Sequence, residues 1–495
     1  MSYNTRLTEE CPLTKEKTHK YRLCIYCGNG LRFIIVCFVA LTFAITTMLV
    51  LQILYTEIPQ NNLHNIHGAV ATDYANCSQI GTKILTRSGN AVDAAVAATI
   101  CMAVVAPHKT GLGGGGYIMI YNYKNHTDYS DPIIIDFASN TTRVGSFGRL
   151  PALLKGLEFA QRSYGNLPWR DIIEPAAKLA REGFVVSKDL ADEVSKNRML
   201  YGPLNPGDIL QLQELANTLD TVAEYGANAL YNGTLSYKIL HTIFHEESQQ
   251  LANYHPIVTS AKKSILHRHT IYYPSHAMFM QKIIQALESL PISENASTIE
   301  SQVLVAQTLM RVYSSFPLSI RHILAIDETT YTGVMAMDWQ DTYVSVLTGL
   351  SSPLGSQNMT NAGFLLDNFD ANDLESFIPV IFHHNEEMCG LRGVFGSNDS
   401  FLNGEILYNL IMRSLNVSAA IEYPRYYFSS DSISFMKIEN NQKHSMEIAL
   451  QARLYSMISS HDNNLPIKSV NAVIKKKDLL SSHSDSRGNG ISSRF

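Results

Sequence analysis

The glycine-rich run Gly111–Gly116 is the stretch whose residue types point most directly to ligand chemistry. Its spacing fits G-x-G-x-x-G, in which glycines let the backbone approach the pyrophosphate of a dinucleotide. That site needs a strand before the glycines and a helix after them. Here the order is reversed, because an alanine-rich stretch typical of a buried helix (residues 91–106) comes first and the strand-like Tyr117–Tyr123 follows. We therefore interpret the run as a tight, packed turn.

Two other clusters contain residue types that bind metals. His383–Glu387 lies between the apolar residues 380–382 and Gly390, a pattern typical of a solvated hairpin turn. Cys24 and Cys27 have C-x-x-C spacing, but neither a second ligand pair nor a βαβ context accompanies them. They fit inert or palmitoylated thiols better. The sequence predicts no metal site and no cofactor.

Length and composition limit the function classes. The chain has 495 residues, of which 45% are hydrophobic and 17% charged, so it is long enough for two to four domain-sized units of ordinary globular composition. A net charge of −5 argues against a nucleic-acid partner, which would require a basic face. Seven cysteines are too few for a disulfide-dense scaffold.

An uncharged apolar run of nineteen residues, Phe33–Leu51, is long enough to cross a bilayer as a helix. It is too long for the apolar core of a signal peptide. Residues 1–32 carry a balance of +3 and the remainder −8, which places the N-terminus in the cytosol. We predict a cytosolic tail over 1–32, a signal-anchor helix over 33–53 and a large outside domain, hence a single-pass type II protein with the membrane as a partner.

The N-glycosylation sequons agree with this topology, because none precedes the apolar run. They lie at Asn76, Asn125, Asn140, Asn232, Asn295, Asn358, Asn398 and Asn416.

Several elements can be predicted in the outside domain. Residues 151–195 have helical patterning, in which Pro175 is expected to open a new helix and Gly183 to end it. Strands over Tyr331–Met337 and Thr342–Thr348, separated by the turn residues 338–341, predict a hairpin.

Several segments resemble the γ-glutamyltransferases (glutathione hydrolases), and the likeness runs in order over roughly residues 66–490, specific in the first half and diluted in the second. These segments are Gly89–Val96, Ala106–His108, the glycine-rich turn, Leu167–Trp169, Glu182–Phe184, Tyr423–Arg425 and Ser484–Gly488.

The resemblance implies an α+β fold of the N-terminal-nucleophile class, an αββα sandwich, in a plasma-membrane protein. Residues 54–328 would form the large-subunit-like part and 329–495 the small-subunit-like part, which together make a heterodimer. The nucleophile aligns with Thr329, so the scissile bond would be Glu328–Thr329. The freed α-amine would act as the base, and a small γ-glutamyl compound such as glutathione would be the substrate.

The resemblance also implies further site residues. Gly396 and Ser397 align with the oxyanion-hole pair, whose donors are backbone N–H groups. Ser376, Asp370 and Asn372 fall in the substrate-binding segments. Cys77 and Cys101 occupy the positions of a family disulfide.

Departures from the family pattern leave two hypotheses open. Ala138 stands where the family has an arginine, and Phe369 and Asn372 replace carboxylates. Charged hydrogen bonds contribute ~1.5–3 kcal/mol each, so losing three would weaken glutathione binding by roughly 10³-fold or more. The chain is then either a γ-glutamyl enzyme whose weak turnover Ala138→Arg would improve, or a catalytically silent member with an interaction or trafficking role.

Overall fold

The structure is a computed structural model that describes residues 32–50, 67–123, 131–139, 141, 143–144, 148–196, 200–240, 248–290, 298–317, 330–368, 377–428, 436–439, 468–488 and 490–495. The chain divides into two units, residues 1–63 and 64–495. The described part of the first unit is one helix, α1 (Arg32–Val50), which by length and apolar composition is able to cross a membrane. Its nineteen residues rise about 28 Å at ~1.5 Å each.

The helices of the second unit fall into two groups along the chain. The first group is α2 (Ala75–Thr86), α3 (Ala91–Val105), α4 (Leu153–Tyr164), α5 (Trp169–Glu182), α6 (Lys188–Lys196), α7 (Gln213–Tyr225), α8 (Asn228–Asn232), α9 (Ser236–Leu240) and α10 (Ser248–Ala252). The second group is α11 (Met278–Glu288), α12 (Thr298–Ser314), α13 (Ser400–Leu407), which continues as a π-helical turn (Tyr408–Met412), and α14 (Val417–Ile421).

Two antiparallel sheets form the centre of the second unit. The seven-stranded sheet has the order β19-β1-β11-β12-β2-β3-β8 and the six-stranded sheet the order β18-β17-β14-β13-β10-β9. The strands are β1 (Ala69–Ala71), β2 (Gly115–Asn122), β3 (Ile133–Asp136), β4 (Arg143–Val144), β5 (Gly148–Arg149), β6 (Phe184–Val185), β7 (Ile209–Leu210), β8 (Ile257–Ser260), β9 (Lys262–Leu266), β10 (His269–Tyr273), β11 (Thr332–Met337), β12 (Thr342–Gly349), β13 (Ile378–His384), β14 (Arg392–Ser397), β15 (Tyr426–Phe428), β16 (Met436–Ile438), β17 (Asn471–Lys476), β18 (Leu479–Ser484) and β19 (Ser493–Arg494).

Side-chain alternation along the strands shows how the layers are stacked. In β11, Met335 and Met337 belong to an apolar cluster shared by the two sheets, whereas Val334 and Ala336 join the cluster formed with α2–α8. In the six-stranded sheet, Val394 faces the other sheet and Phe395 packs with α11–α14. Successive strand residues point to opposite faces, so each sheet is covered on both sides. The order is helices, sheet, sheet, helices, and the predicted mixed α and β class is confirmed.

Helix α3 packs deepest in the first helical layer. All of its residues are buried, and Asn90 and Asp93 form a capping box at its start. The Cys77–Cys101 disulfide joins α2 to α3 with an S–S distance of 2.04 Å. The pairing implied by the family resemblance is therefore confirmed.

The expectation that Pro175 opens a new helix is wrong, because Pro175 lies inside α5. One buried stripe, which includes Ile172, Ile173 and Ala176, runs along both halves of this helix. Each buried isoleucine contributes ~1.5–3 kcal/mol, which offsets the ~3 kcal/mol cost of an internal proline. The helix does end at Gly183, whose φ of 98° suits glycine.

The β11–β12 hairpin is confirmed, and its turn is fixed by Asp338. One carboxylate oxygen accepts from the backbone N–H groups of Gln340 and Thr342, and the other accepts from Ala91 at the start of α3. The hairpin is therefore held in register against the helical layer, with its amino end at Thr332.

Candidate active site

Four residues at the ends of neighbouring strands lie side by side at the amino end of β11. This row consists of Thr330, Gly349, Gly115 and Ala138. Gly349 of β12 pairs with Gly115 of β2, and Ala138 follows β3 next to Gly115. A Cβ atom at Gly115 would lie 3.1 Å from the Cα and Cβ atoms of Ala138, and one at Gly349 would clash with the carbonyl oxygen of Thr330. The two glycines let the neighbouring strands approach closely here. The predicted tight turn is confirmed, because Gly114 N–H donates to Gly111 O at 2.9 Å immediately before β2.

Two threonine hydroxyls are fixed beside this row. Thr330 Oγ1 donates to Leu350 O at 2.7 Å. Thr348 Oγ1 donates to Gly115 O at 2.8 Å and lies 3.2 Å from Thr110 Oγ1. Both donate to backbone carbonyls, so both have defined orientations.

A buried polar cluster holds the next residues of β11. Thr332 Oγ1 donates to Asp73 Oδ2 at 3.0 Å, and Asn471 Nδ2 donates to Asp73 Oδ1 at 2.8 Å. The phenol of Tyr331 donates to the carbonyl oxygen of Ser469. Burial raises the pKa of Asp73, and the charge of Lys109 and these hydrogen bonds oppose that rise.

A second polar cluster lies under the segment that follows β12. Leu350 N–H donates to Lys109 O at 2.9 Å, so the segment just before the glycine-rich turn supports the residue whose carbonyl accepts from Thr330. The side chains of Lys109, His108 and Tyr74 contact Asp189 Oδ2 at 2.8, 3.1 and 2.9 Å.

Two of the titratable groups in this second cluster, Asp189 and His108, have shifted pKa values. Burial would raise the pKa of Asp189, but the His108 hydrogen bond and the Lys109 charge hold that pKa well below its usual range. Burial lowers the pKa of His108, so its ring is neutral at pH 7. The cluster therefore carries one cation and one anion.

The predicted oxyanion pair lies at the end of β14. Ser397 pairs with Ile378 and Gly396 with Pro379 at the start of β13. The Ser397 hydroxyl lies 2.9 Å from Asp399 O and 2.8 Å from Asn403 Oδ1, so its one proton is shared between acceptors of its own segment. The predicted oxyanion role of Ser397 relies on its backbone N–H and not on this hydroxyl.

Charged groups also border the predicted substrate-binding segments. Asp367 Oδ1 accepts from both the N–H and the hydroxyl of Ser351, at 2.8 Å each. Arg149 donates from its backbone to Asp367 O at 2.7 Å and from its guanidinium to Thr141 O at 2.7 Å. Ala138 is 0% exposed and packs between the sheets. An arginine at position 138 would therefore have to displace packed neighbours, which argues against the expected benefit of Ala138→Arg.

Several predicted positions lie outside the described residues. They are Thr329, Phe369, Asp370, Asn372 and Ser376, together with the sequons at Asn125, Asn140 and Asn295. Of the described sequon asparagines, Asn76, Asn232 and Asn416 are exposed, and Asn358 and Asn398 are partly buried. Asn416 caps α14 through Oδ1, which accepts from Ala419 N–H at 2.8 Å.

Sequence reasoning missed Asp73, Lys109, Asp189 and Asn471. A carboxylate two positions after the short apolar run Ala69–Ala71 is a weak signal for Asp73, but its partners Thr332 and Asn471 lie more than 250 positions away. Within the described ranges, the structure contains no group of three or more His, Cys, Asp or Glu side chains arranged to hold a metal ion.

Comparison with known proteins matches part of this sequence to one family. A family model described as gamma-glutamyltranspeptidase matches residues 77–132 and 144–315. Glutathione hydrolase 7 of Bos taurus is 25% identical, with 81% of this chain and 74% of that protein covered. Glutathione hydrolase 5 proenzyme of Homo sapiens is 33% identical over 42% of this chain and 41% of its own length. The crystal structure of a cephalosporin acylase from Bacillus halodurans superposes with a TM-score of 0.71 at 16% identity, covering 86% of this chain and 96% of the acylase, so the two share a fold.

Proposed function

Because the chain belongs to the gamma-glutamyltranspeptidase family, we propose that it is a membrane-anchored γ-glutamyl hydrolase or transferase whose nucleophile is Thr329. Its substrates are glutathione or related γ-glutamyl compounds, and self-cleavage of the Glu328–Thr329 bond frees the nucleophile. The observation that carries this proposal is the amino end of β11, where Thr330 and Tyr331 are each anchored to a neighbouring backbone carbonyl. Position 329 directly precedes this anchored pair.

In the proposed self-cleavage, Thr329 Oγ attacks the carbonyl carbon of Glu328. The C–N bond breaks, the nitrogen takes a proton, and an ester joins the Glu328 acyl group to Thr329 Oγ. Water then hydrolyses the ester, which leaves a new C-terminus at Glu328 and a free α-amine at Thr329. That amine has an unperturbed pKa of roughly 7.7–8.0, so it is a competent base near neutral pH.

In the proposed turnover, the α-amine of Thr329 accepts the proton of its own hydroxyl as Oγ attacks the γ-glutamyl carbonyl. The protonated amine then gives its proton to the departing amine, and an acyl-enzyme remains. Water or a second amine resolves this ester by the reverse proton transfers. Backbone N–H groups of Gly396 and Ser397 are the proposed donors to the oxyanion.

The strand order supports a stable pair of cleavage fragments, 1–328 and 329–495. In the seven-stranded sheet, β11 and β12 of the second fragment lie between β1 and β2 of the first. In the six-stranded sheet, β13 of the second fragment pairs with β10 of the first. We therefore propose that the two fragments remain associated as a heterodimer.

For localisation we propose a single-pass type II protein of the plasma membrane. Helix α1 is the signal anchor, residues 1–32 are cytosolic, and the glycosylated domain is extracellular. The apolar composition of α1 and the exposure of Asn76, Asn232 and Asn416 support this topology.

A catalytically silent role is the second candidate, and Ala138 favours it. Alanine at position 138 provides no cation where the resemblance assigns an arginine to the substrate carboxylate. Interaction or trafficking would then be the function of the retained fold.

The deciding experiment is expression of the full chain in a mammalian secretory cell line, followed by a denaturing gel and identification of the new N-terminus. We expect two bands, with the smaller one beginning at Thr329. Thr329→Ala should stay intact, whereas the control Thr342→Ala, at the far end of β12, should be cleaved. The cleaved protein should then release aniline from a γ-glutamyl anilide. An intact wild-type chain would contradict the catalytic proposal and favour the silent role.

A further inference from the structure

Four consecutive residues at the amino end of β11 are each tied to a different partner. Thr330 donates to Leu350 O, and Tyr331 donates to Ser469 O. Thr332 donates to Asp73, and Gly333 O accepts from Asn471 Nδ2 at 2.9 Å. These four hydrogen bonds are made in addition to the backbone pairing that holds β11 in its sheet.

Asp73 is the acceptor that joins the last two of these contacts. Its side chain is 1% exposed, and its two oxygens accept from Thr332 and Asn471 at 3.0 and 2.8 Å. A buried carboxylate costs free energy unless it is hydrogen-bonded, and an apolar residue would avoid that cost. The position of Asp73 is therefore better explained by what it holds than by folding stability.

The Asp73 cluster fixes β11 relative to both sheets. Asp73 follows β1, the neighbour of β11 in the seven-stranded sheet, whereas Asn471 begins β17 of the six-stranded sheet. Asn471 Nδ2 donates both to Asp73 Oδ1 and to Gly333 O.

We propose that Asp73 is a positioning residue for self-cleavage before Thr329. Through Thr332 and Asn471 it holds the amino end of β11, which follows the proposed scissile bond Glu328–Thr329 closely in the chain. Reactions that depend on a near-attack geometry can lose about 10²-fold in rate when a reacting group moves by ~1 Å. This inference rests on the proposed function, because it assumes the cleavage.

The test measures the half-time of self-cleavage of the full chain in secretory cells by pulse–chase and a denaturing gel. Thr332→Val keeps the side-chain size and replaces the hydroxyl by a methyl group. We expect it to slow cleavage about tenfold, the rate equivalent of losing one hydrogen bond that positions the strand. Thr332→Ser restores the hydroxyl and should return the rate to within about twofold of wild type. Asp73→Asn should slow cleavage more than Thr332→Val does. The NH₂ group of the introduced amide would face one of the two donors, Thr332 Oγ1 or Asn471 Nδ2, which the carboxylate now binds.

The control is Thr218→Val, which also removes a fully buried hydroxyl, one that donates to Ala362 O at 2.8 Å in the first helical layer. It should lower thermal stability as much as Thr332→Val does, yet leave the cleavage rate unchanged. If Asp73→Asn is retained in the cell with immature glycans, the Val and Ser variants of Thr332 decide the question.

Three negative results have different meanings. Wild-type cleavage with equally fast Thr332→Val and Asp73→Asn would overturn the positioning role and leave the proposed function standing. A wild-type chain that never cleaves would overturn both. Equal slowing by Thr332→Val and Thr218→Val would show that the hydroxyl contributes only to folding.

Discussion

Ala138 stands where the family resemblance implies an arginine, and its packing determines what a substitution there would do to stability. The side chain is 0% exposed, lies in the cluster between the two sheets and abuts Gly115. We predict that Ala138→Arg lowers the free energy of unfolding by about 3 kcal/mol or more, because an unpaired charge and extra volume enter a packed core. Ser139→Arg, on the exposed neighbour, should change it by less than about 0.5 kcal/mol. Urea denaturation measures both, and a stable, more active Ala138→Arg would contradict the packing described here.

At the residue scale, His276 is expected to make the stability of the fold depend on pH. Its Nε2 lies 3.2 Å from Phe377 O, its ring packs 4.3 Å from Tyr117, and burial lowers its pKa to about 4. The unfolded chain then binds a proton near pH 6.5 and the folded chain does not, so stability is lost as the pH falls from about 6.5 to 4.

We predict that His276→Gln, which keeps a donor for Phe377 O, loses about 1–2 kcal/mol less stability than wild type between pH 7.5 and 5, after discounting for partial exposure. Urea denaturation at the two pH values measures the difference. The control His255→Gln changes an exposed ring and should follow wild type. Equal losses in wild type and His276→Gln would show that other groups cause the acid sensitivity.

At the scale of elements, the C-terminal turn supports the site through a buried ion pair. Arg425 and Asp485 are 2% and 0% exposed, and Asp485 Oδ1 also accepts from Arg487 at 3.1 Å. Asp485 Oδ2 accepts from Val470 N–H at 3.1 Å, directly before the Asn471 that holds Asp73. This turn therefore fixes the start of β17.

We predict that Asp485→Asn lowers the free energy of unfolding by about 3–5 kcal/mol, because the buried guanidinium of Arg425 would then face a neutral amide instead of a carboxylate. Glu386→Gln is the control, since its ion pair with Arg268 is about two-thirds exposed on both sides and should contribute at most ~1 kcal/mol. Chemical denaturation of the two variants tests this, and similar small losses would show that water reaches the Asp485 site.

The individual elements differ in how far local sequence signals predict them. Local signals were sufficient for α3, which has its own cap, and for the β11–β12 hairpin, which is bounded by Asp338. They failed at Pro175, where long-range burial outweighs a local helix breaker. Local signals could not predict the role of Asp73, because its hydrogen-bond partners come from distant strands whose pairing depends on the whole fold.

At the scale of the whole molecule, no disulfide among the described residues joins the two proposed fragments. The Cys77–Cys101 disulfide lies within residues 1–328, and Cys389 is the only cysteine of 329–495. Strand pairing is the link instead, because β1 pairs with β11, β2 with β12 and β10 with β13. Separation would expose the apolar space between the sheets, at roughly 25 cal/mol per Å².

We therefore predict that the cleaved protein elutes as one species in size-exclusion chromatography and gives two bands on a denaturing gel without reductant. Mild urea should not release the smaller fragment before the sheets unfold, so fragment release and loss of secondary structure should share one transition midpoint. Release at a lower urea concentration would mean that the cross-fragment strand pairs contribute little. A single band that needs reductant to split would instead require a disulfide through Cys389, and the strand pairing would no longer be the main link.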